Sequence, residues 1–304
     1  MKKPTEEKIL SIKSGHHTID ITHPDKVLFG KSEITKKNLI DYYSAIAPFM
    51  LPYLIKRPIS MQRFPEGIQE EGFYQKDASD YFPSWITRAP IKKQNGETVK
   101  YVVVDKPAAL IYLANQNCIT IHSWLSKTDN IEKPDRLIFD LDPANDHSFE
   151  KVQLVAQYLK EILDALELPS FFMLTGSRGA HVVIPLKRIH TFDAVKECAH
   201  TIAQHLAEKY PKLCTVEMRK EKRGSRIFVD WLRNDAGSTS VAPYSVRPRE
   251  GAPVAMPVTW QELQKKDTTS QKYTINNALK HIQKVGDIWK DMQKEAVSLK
   301  KLNR

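Results

Sequence analysis

The segment Arg136-Leu-Ile-Phe-Asp-Leu-Asp-Pro143 joins a short apolar run to two aspartates and stops at a proline. Leu, Ile and Phe in unbroken succession favour a buried strand, and proline, with no N–H to give a ladder, ends it. Side chains alternate along a strand, so Asp140 and Asp142 project from one face and Leu141 from the other. Two carboxylates a few ångströms apart repel unless a proton or a cation stands between them. Burying them at the end of an apolar strand is costly without a partner. Two readings follow: an Asx turn closing the strand, or a seat for a hard divalent cation.

Downstream, Ser148 reads as the cap of a helix with Phe149, Val152, Val155, Leu159, Ile162, Leu163 and Leu166 on its buried face. Residues 171–174 and 181–186 read as strands, and Thr191 as the cap of a helix over 192–209. Residues 215–218 and 226–232 read as strands bracketing a basic loop, and 241–246 as an extended run before a proline-rich stretch. The order strand-helix-strand-strand-helix-strand-strand implies a mixed sheet with helices packed on it.

The loop Thr175-Gly-Ser-Arg-Gly-Ala-His181 is not a P-loop, since no G-x-x-x-x-G-K-[ST] is present and no helix follows. It offers two glycines, a hydroxyl, a guanidinium and an imidazole, all suited to phosphate oxygens. The alternative is a hairpin turn with Arg178 and His181 solvated. Asp230, at the end of Arg226-Ile-Phe-Val-Asp230-Trp, repeats the strand-end acid. Alone it would be a turn residue; with Asp140 and Asp142 it supplies a third carboxylate, as a two-metal phosphoryl-transfer site requires. The run 219–226 holds five basic residues and one acid, either a solvated loop or a contact for a nucleic-acid backbone.

The first half reads as a helix over 35–56 with Pro48 and Pro52 late in it, then a strand over 57–64 turning at Pro65-Glu66-Gly67. A hairpin follows, with Gln94-Asn95-Gly96-Glu97 as its turn, then a helix over 107–113 and a strand over 119–125. The polar stretch 126–135 is a candidate boundary. The expected units are therefore 1–130, 131–263 and a basic helical tail over 264–304, where ten Lys/Arg face four Asp/Glu. The whole chain of 304 residues carries a formal net charge of +10, which favours a polyanion as partner. Its 41% hydrophobic content excludes wholesale disorder. No apolar run approaches a membrane span, and no hydrophobic stretch follows the charged start. Cys118, Cys198 and Cys214 lack metal-site spacing and favour a reducing compartment. The expectation is a cytoplasmic, nucleoid-associated protein with no membrane partner.

Taken together, D-L-D-P (140–143), T-G-S-R-G-A-H (175–181), F-V-D-W-L-R-N (228–234) and A-P-Y-S-V-R-P-R (242–249) resemble the polymerase domain of bacterial ligase D. That family belongs to the archaeo-eukaryotic primase superfamily and acts in non-homologous end joining. The stretches H-P-D-K (23–26), Q-R-F-P-E-G (62–67) and E-G-F-Y-Q-K-D-A (71–78) agree with its N-terminal part, and the match runs in order from about Ile21 to Leu263. The resemblance implies an α+β, primase-polymerase-like fold with mixed and antiparallel sheets flanked by helices. An N-terminal α/β module would pack on an RRM-like catalytic module.

Carried over residue by residue, the resemblance implies that Asp140, Asp142 and Asp230 hold two divalent ions, Mn²⁺ or Mg²⁺. His122, Thr175, Ser177, Arg178, His181 and Arg247 would line a nucleoside triphosphate. Lys26 and Lys36 would grip a 5′-phosphate on the downstream strand of a gap or broken end. Phe73 and Tyr74, with Arg63 and Lys76 beside them, would pack against DNA, and Lys220 and Arg223 would handle the template and incoming end. The implied reaction is addition of ribo- or deoxynucleotides to a primer 3′-OH, with Ku and a DNA ligase as partners.

Three positions depart from the family pattern. Arg178 stands where Lys is usual, so a planar fork replaces a point donor. Thr120 replaces an acid two residues before His122, and His23 replaces Asn before Pro-Asp-Lys. Two other classes use some of the same residues: a metal-dependent nuclease and a non-catalytic module binding DNA ends. A nuclease has no need of a triphosphate cradle, and three acids in a basic groove repel phosphate unless a cation is bound.

Overall fold

The computed structural model describes residues 10–92, 96–144 and 149–299. The expected cap Ser148 and the first two residues of the expected turn at 94–97 lie outside them. Strands β1 (Leu10–Ser14) and β2 (His17–Ile21) form a hairpin, followed by short β3 (Val27–Phe29) and β4 (Ile34–Thr35). Thr35 then caps α1 (Lys36–Met50), its hydroxyl accepting from the Asn38 N–H in a reciprocal capping box. The apolar stripe Leu39, Tyr43, Ile46 and Met50 is wholly buried. The helix runs through Pro48, which lies in its last turn and so removes little of the ladder.

Strands β5 (Ile59–Arg63), β6 (Phe73–Gln75), β7 (Arg88–Lys92) and β8 (Thr98–Val102), helix α2 (Pro107–Asn115) and β9 (Cys118–Trp124) complete the first half. β7 and β8 form the expected hairpin, while β5 lies between β6 and β9 in an antiparallel sheet.

The second half follows the expected order: β10 (Arg136–Asp142), α3 (Phe149–Ala165), β11 (Phe171–Leu174), β12 (Ala180–Pro185), α4 (Phe192–Lys209), β13 (Cys214–Thr215) and β14 (Ile227–Asp230). β15 (Thr239–Val241), β16 (Met256–Val258), α5 (Trp260–Leu263) and α6 (Ala278–Val285) close the chain. The large sheet runs β13-β14-β10-β12-β11-β16; β13 is parallel to β14 and the other neighbours are antiparallel. Its centre, β14-β10-β12-β11 with α3 and α4 packed on β10 and β14, is the split β-α-β-β-α-β arrangement of ferredoxin-like and RRM-like domains. Leu137, Phe139 and Leu141 are fully buried on the strand's opposite side from Asp140 and Asp142.

Three expectations are corrected. The strand over 215–218 stops at Thr215, because Arg223 takes the Glu217 and Met218 carbonyls as acceptors and leaves the loop no ladder. The run 241–246 is strand only to Val241, since Tyr244 has a left-handed φ of 67°. The expected helical tail over 264–304 is not one in its described part, 264–299: helix α6 ends before Gly286, φ 80°, and Tyr273, Ile282, Trp289 and Leu299 are buried. Asp287 accepts from the Tyr53 and Tyr244 hydroxyls and ties this region to both halves.

The halves are interleaved. β15 joins the first sheet beside β9, and one apolar core runs from Ile19 to Leu299. Arg57 and Asp135, both almost fully buried, make an ion pair between the segments leading into β5 and β10. Among the described residues no helix is long and apolar enough to cross a membrane.

Candidate active site

Strand register assembles the site. Asp140 lies opposite His181 of β12 on one side and Asp230 of β14 on the other, while Asp142 lies opposite Phe228. Residues opposite each other point to the same face, so three carboxylates and an imidazole share one surface of the sheet, away from α3 and α4. That surface and β9 of the first sheet wall a cleft of ≈ 450 Å³. Asp140, Asp142, Asp230, His122, Thr175, Ser177, Arg178, His181, Arg247, Lys220, Arg223 and Tyr74 all line it. Lys26, Lys36, Arg63, Phe73 and Lys76 lie outside it.

Guanidinium groups stand against the acids. Arg233 Nε is 3.3 Å from an Asp230 oxygen and 3.6 Å from Asp140, and Arg178 is 3.5 Å from Asp142. Arg223 stacks 3.6 Å over the Phe228 ring, with one nitrogen 4.0 Å from Asp142. Burial pushes the Asp142 and Asp230 carboxyls above their ordinary range, and the charge of Asp140 adds to it. Burial acts the same way on Asp140, but His181, Arg233 and Arg247 outweigh it and hold its carboxyl low. His122 is kept well below the ordinary imidazole range, first by burial and then by Arg247, Arg233 and His181. It is therefore neutral at physiological pH, with Nε2 buried and without a hydrogen-bond partner.

The phosphate-type loop owes its shape to glycine. A Cβ on Gly179 would sit 2.0 Å from the Leu141 carbonyl oxygen, and Gly176 has φ 68° against the Val254 backbone. With both glycines the loop folds tightly: the Thr175 hydroxyl donates to the Gly179 carbonyl at 2.9 Å. Arg247 donates to the Thr175 carbonyl at 3.4 Å, and Arg249 Nε donates to Ser177 Oγ at 3.0 Å.

Metal ligation is tested by this donor set. Among the described residues no three His, Cys, Asp or Glu groups form a ready-made metal cluster. The carboxylates nonetheless present hard oxygens on one face, two of them with pKa raised by burial and by the charge of Asp140. Mg²⁺ is commonly held by one or two carboxylates plus substrate phosphates instead of an all-protein cage. The residues fit a divalent ion completed by a substrate phosphate, with Arg233 giving way.

The lysine pair lies at the start of α1. Lys36 is 3% exposed and donates to the Thr22 carbonyl at 2.9 Å; Lys26 pairs with Glu66 at 2.8 Å. Burial, then the charge of Lys26, lowers the Lys36 pKa. The first helical N–H groups are not open to an anion, as a capped helix start would suggest. Those of Lys36 and Lys37 donate to the Lys26 and Pro24 carbonyls. An anion here would be held by ammonium groups. On β6, Phe73 and Tyr74 are 46% and 59% exposed, with Arg63 over the Phe73 ring and Tyr74 edge-on to His122. Lys76 is exposed beside them, and Thr120 gives its hydroxyl to the Val246 carbonyl. The sequence alone assigns no role to Arg233 or to Arg249. The W-L-R-N turn that brings Arg233 back to Asp230 is a local signal for the former.

A basic cleft with strand-end carboxylates beside a phosphate-type loop on an RRM-like sheet defines a nucleotidyltransferase of the primase-polymerase class. The family model for the LigD primase-polymerase domain matches residues 35–289. The chain belongs to that family. It is 30% identical to the multifunctional non-homologous end joining protein LigD of Mycolicibacterium smegmatis, over 94% of this chain and 38% of that protein. Against the Pseudomonas aeruginosa LigD the identity is 34% over 81% of this chain and 29% of the relative. The chain thus spans well under half the length of these relatives. The solved polymerase domain from Mycobacterium tuberculosis ligase D in complex with DNA superposes with a TM-score of 0.84 at 28% identity, covering 92% of this chain and 99% of that one.

Proposed function

We propose that this protein adds nucleotides to a primer 3′-hydroxyl at gaps and broken DNA ends, as part of non-homologous end joining with Ku and a DNA ligase. The reading is carried by one observation: strand-end carboxylates and a triphosphate-type set of donors face the same cleft. Asp140, Asp142 and Asp230 bind the divalent ions. When bound there, two such ions, Mg²⁺ or Mn²⁺, would supply the positive charge that lowers the pKa of the 3′-hydroxyl and stabilises the departing pyrophosphate. Thr175, Ser177, Arg178, His181 and Arg247 hold the triphosphate in line, with neutral His122 offering Nε2 to it. The 3′-oxygen attacks the α-phosphorus, the bond to the bridging oxygen breaks, and pyrophosphate leaves.

Phe73 and Tyr74 give stacking faces to bases, and Arg63 and Lys76 give charge to the backbone. Lys220 and Arg223 steady the template and incoming end. Lys26 and Lys36 take the 5′-phosphate of the downstream strand, whose extra charge distinguishes an end from continuous backbone. Residues 1–130 thus read the DNA end and 131–263 perform the transfer, on one shared core. Nucleoid association follows from the substrate.

The test is a competition on a gapped template with a 5′-phosphate, in Mg²⁺ and in Mn²⁺. Ribonucleotides are expected to be incorporated at least as well as deoxynucleotides. A deoxynucleotide preference of about 100-fold, ~2.7 kcal/mol, would count against the reading.

A further inference from the structure

Glu250 lies just beyond Arg247 and Arg249, yet its carboxylate is spent on the opposite half of the molecule. Oε1 accepts from the Lys31 N–H at 3.2 Å and from Gln69 Nε2 at 2.7 Å. Oε2 accepts from the Ser32 N–H at 3.1 Å and from Ser32 Oγ at 2.6 Å. The Ser32 oxygen in turn accepts from the Gly251 N–H at 2.8 Å. These donors, the Ser32 hydroxyl foremost, hold the Glu250 carboxyl below its ordinary range. A carboxylate that merely closes a turn finds its donors nearby in sequence; Lys31 is 219 residues away.

The loop it grips has a specific position. It connects β3 to β4, with Lys26 immediately before β3 and Lys36 immediately after β4. The segment carrying Glu250 is equally specific on its other side. There Arg249 donates to Ser177 and Arg247 to the Thr175 carbonyl. Four consecutive residues, 247–250, therefore touch the phosphate-type loop with one end and the lysine-bearing loop with the other.

We propose that Glu250 is a positioning residue that couples a 5′-phosphate held by Lys26 and Lys36 to the grip on the incoming nucleotide. This rests on the reading given under Proposed function. A phosphate drawn in between the two lysines acts on both ends of the 30–33 loop. Glu250 passes that constraint along 247–250 to Ser177 and Thr175. Coupling between sites is reciprocal, so the nucleotide tightens the hold on the 5′-phosphate by the same factor.

The experiment uses the full chain on two gapped duplexes that differ only in the downstream 5′-phosphate, measuring kcat and the nucleotide KM on each. In the wild type the phosphate lowers the nucleotide KM. Glu250→Ala is expected to cut that ratio by about five-fold or more, while kcat and KM on the unphosphorylated gap stay at wild-type values. Glu250→Gln, which keeps one acceptor oxygen, is expected to restore part of the ratio. Should Glu250→Ala fail to fold, Ser32→Ala removes one arm of the same link and carries the same expectation at smaller size. A Glu250→Ala protein that keeps the wild-type ratio, or loses activity equally on both duplexes, overturns the coupling and leaves the functional reading intact. A wild type whose nucleotide KM is indifferent to the phosphate also overturns the coupling, whereas a wild type that adds no nucleotide to either duplex overturns the functional reading.

Discussion

In the cleft, three carboxylates stand among the guanidinium groups of Arg178, Arg223 and Arg233; at the start of α1, the Lys26 ammonium pairs with Glu66 and the Lys36 ammonium donates to the Thr22 carbonyl. The cleft is built on adjacent strands, where register brings Asp140, His181 and Asp230 side by side. The lysine pair hangs from a loop and a helix start joined by backbone hydrogen bonds from Lys36 and Lys37 to Lys26 and Pro24. On the proposed reading the difference follows from what each holds. Acids meant for cations need a rigid face and a stand-in positive charge, since ionised carboxylates in a buried cluster repel. Lysines meant for a phosphate need only be close and not fully committed, and an exposed ion pair such as Lys26–Glu66 is cheap to exchange.

The largest expected effect breaks the cleft alone. Asp140→Ala should lower nucleotide addition by about 10³-fold or more, about 4 kcal/mol, while binding to a 5′-phosphorylated end, followed by anisotropy, stays near wild type. Extension at near wild-type rate would remove Asp140 from the site.

Next comes the buried ion pair between the segments leading into β5 and β10. Asp135→Ala leaves the Arg57 guanidinium, 2% exposed, without its carboxylate, and should cost about 3–5 kcal/mol of stability in denaturant titration. Burial works against ionised Asp135, but Arg57, Arg136 and Lys127 outweigh it and hold its carboxyl below the ordinary range. Its contribution is therefore present above the ordinary carboxylate pKa and lost as pH falls through the lowered one. The wild type should lose stability in that acid window, and the variant should lose less.

Lys26→Ala with Lys36→Met breaks the other region. Affinity for gapped DNA bearing a 5′-phosphate should fall by roughly 2–4 kcal/mol, with little change on the same DNA lacking it. Equal losses at one fixed salt concentration would show that the pair serves only the general field. The smallest effect sharpens the cleft: Arg249→Ala removes the donor to Ser177 and should raise the nucleotide KM by roughly 2- to 10-fold with kcat nearly unchanged.

The two regions also differ in how legible they were in the sequence. Alternation in Phe-Asp-Leu-Asp (139–142) gave the shared face of Asp140 and Asp142, and the strand ending at Asp230 gave the third acid, because strand geometry is local. The order of strands and helices gave the mixed sheet for the same reason. Pairings such as Arg249 with Ser177, Lys26 with Glu66 or Glu250 with Ser32 join distant loops, and no periodicity marks them. The helix expected beyond residue 264 failed because basic amphipathic spacing does not reveal that Gly286 turns the chain and that Asp287 is claimed by Tyr53 and Tyr244. The helix start at Thr35 was legible, but the use of its first N–H groups by the 24–26 turn was not.

The central claim is that the carboxylate cleft lengthens a strand instead of cutting one. The most direct test incubates the protein with a gapped, 5′-phosphorylated duplex, a divalent metal and nucleoside triphosphates, and weighs every strand by mass spectrometry while measuring pyrophosphate. The account predicts a primer heavier by whole nucleotides, one pyrophosphate released per addition, and all other strands unchanged. Shortened strands that appear without triphosphate, with no pyrophosphate, would contradict it and mark the cleft as a nuclease site.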